Sequence, residues 1–141
     1  MNNKGFTMVE LVATIALLSV IMIISFVSIN AVIDSSEINE CNALVSNIKS
    51  ATKEYFSDNR YNLDNISGYK VDNNDKKYEI KVSVLTNSNY LTGKIVDPFN
   101  GDELNTDDIK ISVELKDNYT IKKIVVKNSS NNEVVCDNEE W

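Results

Sequence analysis

The chain has 141 residues, a formal net charge of −7, no histidine, one proline and two cysteines. Without imidazole it can build neither a Ser-His-Asp triad nor a histidine acid/base or metal site, and so acidic a balance argues against a generally phosphate-binding surface. With an apolar N-terminal stretch set aside, the remainder suffices for one domain of about 100 residues and leaves no room for a second.

The chain opens on Lys4-Gly5-Phe6-Thr7-Met8-Val9-Glu10-Leu11, and from Leu11 to Ile33 the only polar side chains are Thr14, Ser19, Ser25, Ser28 and Asn30. No residue of that run is charged, Pro or Gly. At about 1.5 Å of helical rise per residue, the run predicts a transmembrane helix across a hydrocarbon core of about 30 Å. A secretory signal has an apolar core of about 7 to 15 residues with a small-x-small cleavage site behind it. Here the run is longer, Glu10 sits at its mouth, and Ile29-Asn30-Ala31 is a weak cleavage candidate. Lys4, the one basic residue on the short side, places that end in the cytoplasm and the bulk of the chain outside.

These residues resemble the class III signal of type IV prepilins and pseudopilins, which is a short basic leader ending in Gly, then an aromatic residue, then Glu as the fifth residue of the mature chain. The resemblance implies that a membrane prepilin peptidase cuts between Gly5 and Phe6 and that Phe6 becomes the N-methylated terminus. It also implies that Glu10 meets the N-terminal amine of a neighbouring subunit as a filament grows. The residues' own chemistry agrees. Gly5 has no Cβ to obstruct a protease. A freed amine at Phe6 would lie one helical turn from Glu10, on one face, and an acid near a helix N-terminus is favoured by the macrodipole. A charged side chain costs about 2.5 to 3.5 kcal/mol at mid-membrane and marks function there. Taken singly, Glu10 reads as an interfacial acid and Phe6 as an aromatic anchor; together with Gly5 they read as cleavage and assembly residues. Many pilins carry a Pro or Gly within the apolar helix, and this run has neither, so local melting of the helix during assembly is not supported.

Beyond Ile33 the residues Ile38, Cys41, Leu44, Val45, Ile48, Ala51, Tyr55 and Phe56 recur at spacings of three and four, an apolar stripe on a helix. With no Gly or Pro between, one helix from about Thr7 to Ser57 is expected; the alternative is two helices broken near Asp34-Ser35-Ser36, which also reads as a cap. Asp58 to Lys77 is polar and predicts a connecting region anchored by Ile66 and Tyr69. In pilins this αβ loop is exposed. A strand is predicted over Tyr78–Val84. Two further stretches resemble pilin segments: Val84 to Leu91, ending in an aromatic-Leu pair, and Asp97-Pro98-Phe99-Asn100-Gly101, a tight turn. Ile109–Leu115, Tyr119–Val126 and Glu133–Cys136 then predict an antiparallel meander, and the tail from Asp137 to Trp141 reads as frayed.

The expected architecture is therefore α+β: a long N-terminal α-helix, its N-terminal half transmembrane, packed on a small antiparallel β-sheet. Residues 1–5 form the leader, 6–33 the membrane and filament-core half of the helix, and 34–141 the extracellular domain with the helix's distal half. In that compartment a disulfide between Cys41 and Cys136 is allowed; the alternative is two buried free thiols. Asp97, Asp102, Glu103, Asp107 and Asp108 form an acidic loop with oxygen ligands of the kind calcium takes, but their spacing is not that of an EF-hand and no metal is assigned. Three Asn-x-Ser/Thr matches, at Asn65, Asn118 and Asn128, are expected by chance in so Asn-rich a chain. No nucleophile-base pair, Gly-rich phosphate loop or basic-aromatic stripe is visible, so neither an enzyme, a cofactor nor nucleic-acid binding is expected.

The resemblance implies a structural subunit of a type IV pilus or pilus-like filament. Such a subunit would be held in the membrane with its N-terminus cytoplasmic and its domain outside, cleaved by prepilin peptidase, and assembled with like subunits by a membrane platform and an ATPase. Two alternatives stay open: a minor pilin or pseudopilin of a DNA-uptake or secretion system, and, from another class, an anchored or secreted binding domain that never polymerises.

Overall fold

The computed structural model describes residues 6–63, 66, 69–72 and 76–138, with the side chains of 24–31, 34, 69–72 and 138 excepted. The leader call on residues 1–5, Trp141 and the Asn65 acceptor lie outside the described residues. The chain divides into two compact units, Met1–Ser36 and Glu37–Trp141.

In the first unit, helix α1 begins at Met8, and it runs without a break in its helical assignment to Asp58 in the second unit, 51 residues in all. The absence of Gly and Pro over this length leaves the i to i−4 hydrogen-bond ladder uninterrupted. Asp34-Ser35-Ser36 does not end the helix. The transmembrane part of the expectation is not supported: among the described residues no helix is long and apolar enough to cross a membrane. The apolar side chains described on α1 from residue 8 to 23 account for about 24 Å of helix, short of a bilayer core of about 30 Å. The rest of the expected span runs through 24–31, whose side chains lie outside the described residues.

In the second unit the apolar stripe of α1 enters a core. Cys41, Val45, Ile48, Ala51, Tyr55 and Phe56 are buried, with Leu44 packed beside them. Thr52 is buried in the same stripe, and its hydroxyl donates to the carbonyl of Ile48 at 2.7 Å, which removes the cost of an unpaired polar group. Against this stripe packs a four-stranded antiparallel sheet in the order β1-β2-β3-β4: β1 Tyr69–Asp72, β2 Lys77–Lys81, β3 Lys110–Leu115 and β4 Ile121–Lys127. The period-2 alternation of β3 buries Ile111, Val113 and Leu115, and Tyr78 and Ile80 do the same from β2. The register pairs Tyr78 with Val113 and Ile80 with Ile111, which places the apolar partners on one face. Tyr55 meets Phe56 and Tyr90 edge-on, and Phe56 meets Tyr78, closing the core with aromatic contacts.

Three segments differ from the sequence expectation. Tyr69–Asp72 is a strand within the expected connecting region, paired with β2 through Tyr69–Glu79 and Lys70–Tyr78. The strand expected to reach Val84 ends at Lys81, and Val82–Asn87 forms a short helix, α2. The N–H of Val82 donates to the carbonyl of Ile109 and that of Ser83 to Thr106, both at 3.0 Å, so the chain turns off the sheet at this point and Val82 and Leu85 enter the core. Glu133–Cys136 is not a full strand. It pairs through a single bridge, Lys127 with Glu133, and passes into a 3-10 turn at Cys136–Asn138.

The Asp97–Gly101 turn closes as its residues dictate. The Asp97 carboxylate accepts from the Phe99 N–H at 2.9 Å, the Asp97 carbonyl accepts from the Gly101 N–H at 2.9 Å, and Gly101 takes a φ of 77° that a side chain would strain. Cys41 of α1 and Cys136 are joined by a disulfide with their Cα atoms 5.7 Å apart, 95 residues apart in sequence, tying the C-terminal segment to the helix.

Candidate functional site

The N-terminus of α1 is built by two residues. The carboxylate Oε2 of Glu10 accepts from the backbone N–H of Thr7 at 2.9 Å and from the Thr7 hydroxyl at 2.8 Å. The Thr7 Oγ1 in turn accepts from the Glu10 N–H at 3.3 Å. This is a reciprocal capping box, with Thr7 as the N-cap and Glu10 three residues on. It satisfies amide groups that the helix itself leaves open, and it sets the acid at the positive end of the macrodipole.

Phe6 stands one residue before the cap, outside the helix, with 81% of its surface exposed. Phe6 and Glu10 are therefore not stacked one helical turn apart in this structure. Thr7 is the partner of the Glu10 carboxylate instead. The sequence reading missed Thr7. Its signal is the Thr-x-x-Glu spacing ahead of an apolar run, which lies inside the stretch that resembles a prepilin signal and was absorbed by that resemblance.

From Leu11 to Ile23, α1 is apolar on every side. Leu11, Val12, Ile15, Leu17, Leu18, Val20, Ile21 and Ile23 are all exposed, at 56 to 69% of their surface. The two described polar side chains of this stretch are turned onto the helix backbone, Thr14 donating to the carbonyl of Leu11 and Ser19 to that of Ile15, both at 2.8 Å. A helix apolar all round is one that other apolar matter must cover.

The remaining candidates lie in the second unit. The acidic loop does not converge on one point: Asp97 is spent on its own turn, Asp107 accepts from Ser83 and lies 3.6 Å from Lys81, Asp108 accepts from Asn105, and Glu103 pairs with Lys94. Among the described residues no group of three or more acidic or cysteine side chains is arranged to hold a metal ion. Asn118 accepts from both the N–H and hydroxyl of Thr120 in the β3–β4 turn, and Asn128 is buried, so both side chains are engaged in local structure.

The architecture is α+β, and the described apolar side chains of α1 from residue 8 to 23 are exposed. Comparison with known proteins adds one finding at that end: residues 1–26 match the family model described as the prokaryotic N-terminal methylation motif. The chain thus carries a prepilin-type N-terminal motif, consistent with a type IV pilin or pseudopilin. No curated protein and no solved structure matches it.

Proposed function

We propose that the chain is a structural subunit of a type IV pilus or pilus-like filament, cleaved between Gly5 and Phe6 and assembled through α1. The observation that carries this reading is the exposed apolar surface of α1 behind the Thr7–Glu10 cap, in a segment matching the methylation motif. Before assembly, lipid would cover that surface, with the N-terminus cytoplasmic and residues 37–141 outside; after assembly, the helices of neighbouring subunits would cover it.

Cleavage removes the residue preceding Phe6 and leaves a charged, methylated amine beside the capping box. Glu10 then has two candidate donors, its own Thr7 and an N-terminal amine. In a filament core of low dielectric, an amine from a neighbour is the stronger partner, since a charge taken out of water gains most from an opposite charge. Exchange of the Thr7 cap for that amine would couple docking to register. Apolar side chains of adjacent helices would then replace lipid by packing. The partners implied are prepilin peptidase, an assembly platform driven by an ATPase, and further subunits.

The test is the intact mass and N-terminal sequence of the protein recovered from membranes and from sheared surface material. A chain beginning at methylated Phe6 in both fractions is expected. A chain beginning at Met1, or after Ala31, would overturn the processing and assembly roles and make this an anchored or secreted domain.

A further inference from the structure

Within the second unit, the distal half of α1 and strand β4 enclose an open groove of about 690 Å³. Its walls carry Lys49 and Lys53 from the helix, Arg60 from the turn that follows it, and Lys122 and Lys123 from the strand, over a floor that includes Phe56, and among the described residues no carboxylate lines it. Five of the chain's 14 basic residues are thus gathered in one place on a protein of net charge −7. Lys122 is paired with Glu114 at 2.6 Å, whereas Lys49, Lys53 and Lys123 form no ion pair with any described residue.

The complementary surface is the loop 102–108, where Asp102, Glu103, Asp107 and Asp108 are all exposed. Asp102 and Asp108 have no cationic partner among the described residues. The base of this loop adjoins the other side of the helix: Pro98 and Gly101 share a hollow with Glu40, Ala43, Leu44 and Asn47. At about 100° of rotation per residue, those four helix positions point about half a turn away from Lys49, Lys53 and Phe56. The centres of the two sets are also about 14 Å apart along the helix. One molecule therefore presents a basic groove on one side of α1 and an acidic loop on the opposite side, at a different level.

We propose that the groove receives the acidic 102–108 loop of a second copy of this chain. Such a contact is heterologous, since it joins two different surfaces. If the α1 helices of adjacent copies lie parallel, the offset along α1 prevents closure into a ring and propagates a helical array. The proposal rests on the filament reading and adds to it a second contact, between the globular units, that sets which neighbour follows which. Being between exposed charges, the contact is weakened by salt.

The experiment uses the full chain expressed in cells, with sheared filaments as the readout. Lys53→Glu with Lys123→Glu reverses the groove, and Asp102→Lys with Asp108→Lys reverses the loop. All four side chains are exposed, and thermal melting of each variant in detergent checks that it folds as the parent does. Each double variant should lose filaments by about tenfold or more, as like charges are brought together, and the fourfold combination should regain them. Carbodiimide treatment of parent filaments should join a peptide containing Lys122 or Lys123 to one containing residues 102–108 of another copy.

Filament yields unchanged in both double variants, or a fourfold variant no better than either, would overturn the docking while leaving the filament reading intact. So would a groove reversal that spares filaments and instead weakens binding of polyphosphate, which would make the groove a polyanion site. Absence of filaments from the parent chain would remove the filament reading and this contact with it.

Discussion

The Glu10 carboxylate is held by Thr7 through two hydrogen bonds, at 2.9 Å from the amide and 2.8 Å from the hydroxyl, so the acid expected to join subunits is already the cap of its own helix. The two roles are separable by substitution. Thr7→Ala removes the N-cap hydroxyl while keeping the amide bond to Glu10, and costs about 1 kcal/mol at the first turn of α1, which should accelerate amide exchange there and lower filament yield modestly. Glu10→Ala removes both roles, and sheared filaments should be lost while the processed chain stays in the membrane fraction. Equal filament yields from the two variants would reduce Glu10 to a cap.

The two halves of α1 should respond differently to the same change. Ile48 is fully buried and Ile15 is 57% exposed. Ile48→Ala removes core contacts and leaves a cavity, at a cost of about 2 to 5 kcal/mol, which should appear as a large fall in melting temperature of the full chain in detergent. Ile15→Ala has no core to disturb and should leave that melting unchanged. Its effect should fall on filament yield. A melting loss at Ile15 comparable to that at Ile48 would mean that residues 8–23 are covered by the chain itself.

The same division explains what was legible beforehand. The stripe from Cys41 to Phe56 is visible because burial on one side of a helix imposes a spacing of three and four, and no tertiary contact can override it without exposing Ile48. Strand β3 is visible for the corresponding reason at period 2, whereas β4, Ile-Lys-Lys-Ile-Val-Val-Lys, does not alternate strictly and is visible through its β-branched residues. Strand β1 was not, because Tyr69–Asp72 is short, flanked by Asn and Gly, and defined by its partner Glu79 and Tyr78 more than by its own pattern. Helix α2 was hidden by the β-branched Val82 and Val84, which continue the alternation of β2 until amide bonds to Ile109 and Thr106 redirect the backbone. The basic groove joins Lys53 to Lys123, 70 positions away, and no local window of sequence contains both.

The Cys41–Cys136 bridge closes a loop of 95 residues around most of the second unit. On the entropic account, a loop of that length constrains the unfolded chain by about 4 to 5 kcal/mol. Cys41→Ser with Cys136→Ser should therefore lower the melting temperature of the full chain in detergent by about 20 °C or more, and reducing agent should do the same to the parent. The segment that depends most on the bridge is Val134–Cys136, which pairs with β4 through one amide bond, Val134 N–H to the Val126 carbonyl at 2.9 Å. It should become the first site of proteolysis on reduction. Unchanged melting in the double variant would show that packing of Val134 alone holds this end.

Tyr90 makes the domain sensitive to alkali. Its hydroxyl donates to Asp58 Oδ2 at 2.9 Å, and that hydrogen bond, with partial burial and the nearby negative charges of Asp58 and Glu54, raises the phenol above its ordinary pKa of 10.0. Burial raises Tyr55, against which the Tyr90 ring packs at 5.3 Å. The fold holds these protons more tightly than the unfolded chain does. The stabilisation is therefore complete below pH 10.0 and is lost as pH rises through the raised folded values. The melting temperature of the full chain in detergent should be flat with respect to these groups from pH 7 to 9 and fall above pH 10. Tyr90→Phe keeps the ring and removes one of the two protons, so the alkaline fall should become shallower. A fall of unchanged steepness in Tyr90→Phe would assign the alkaline transition to other groups and leave the Tyr90–Asp58 bond without a role in it.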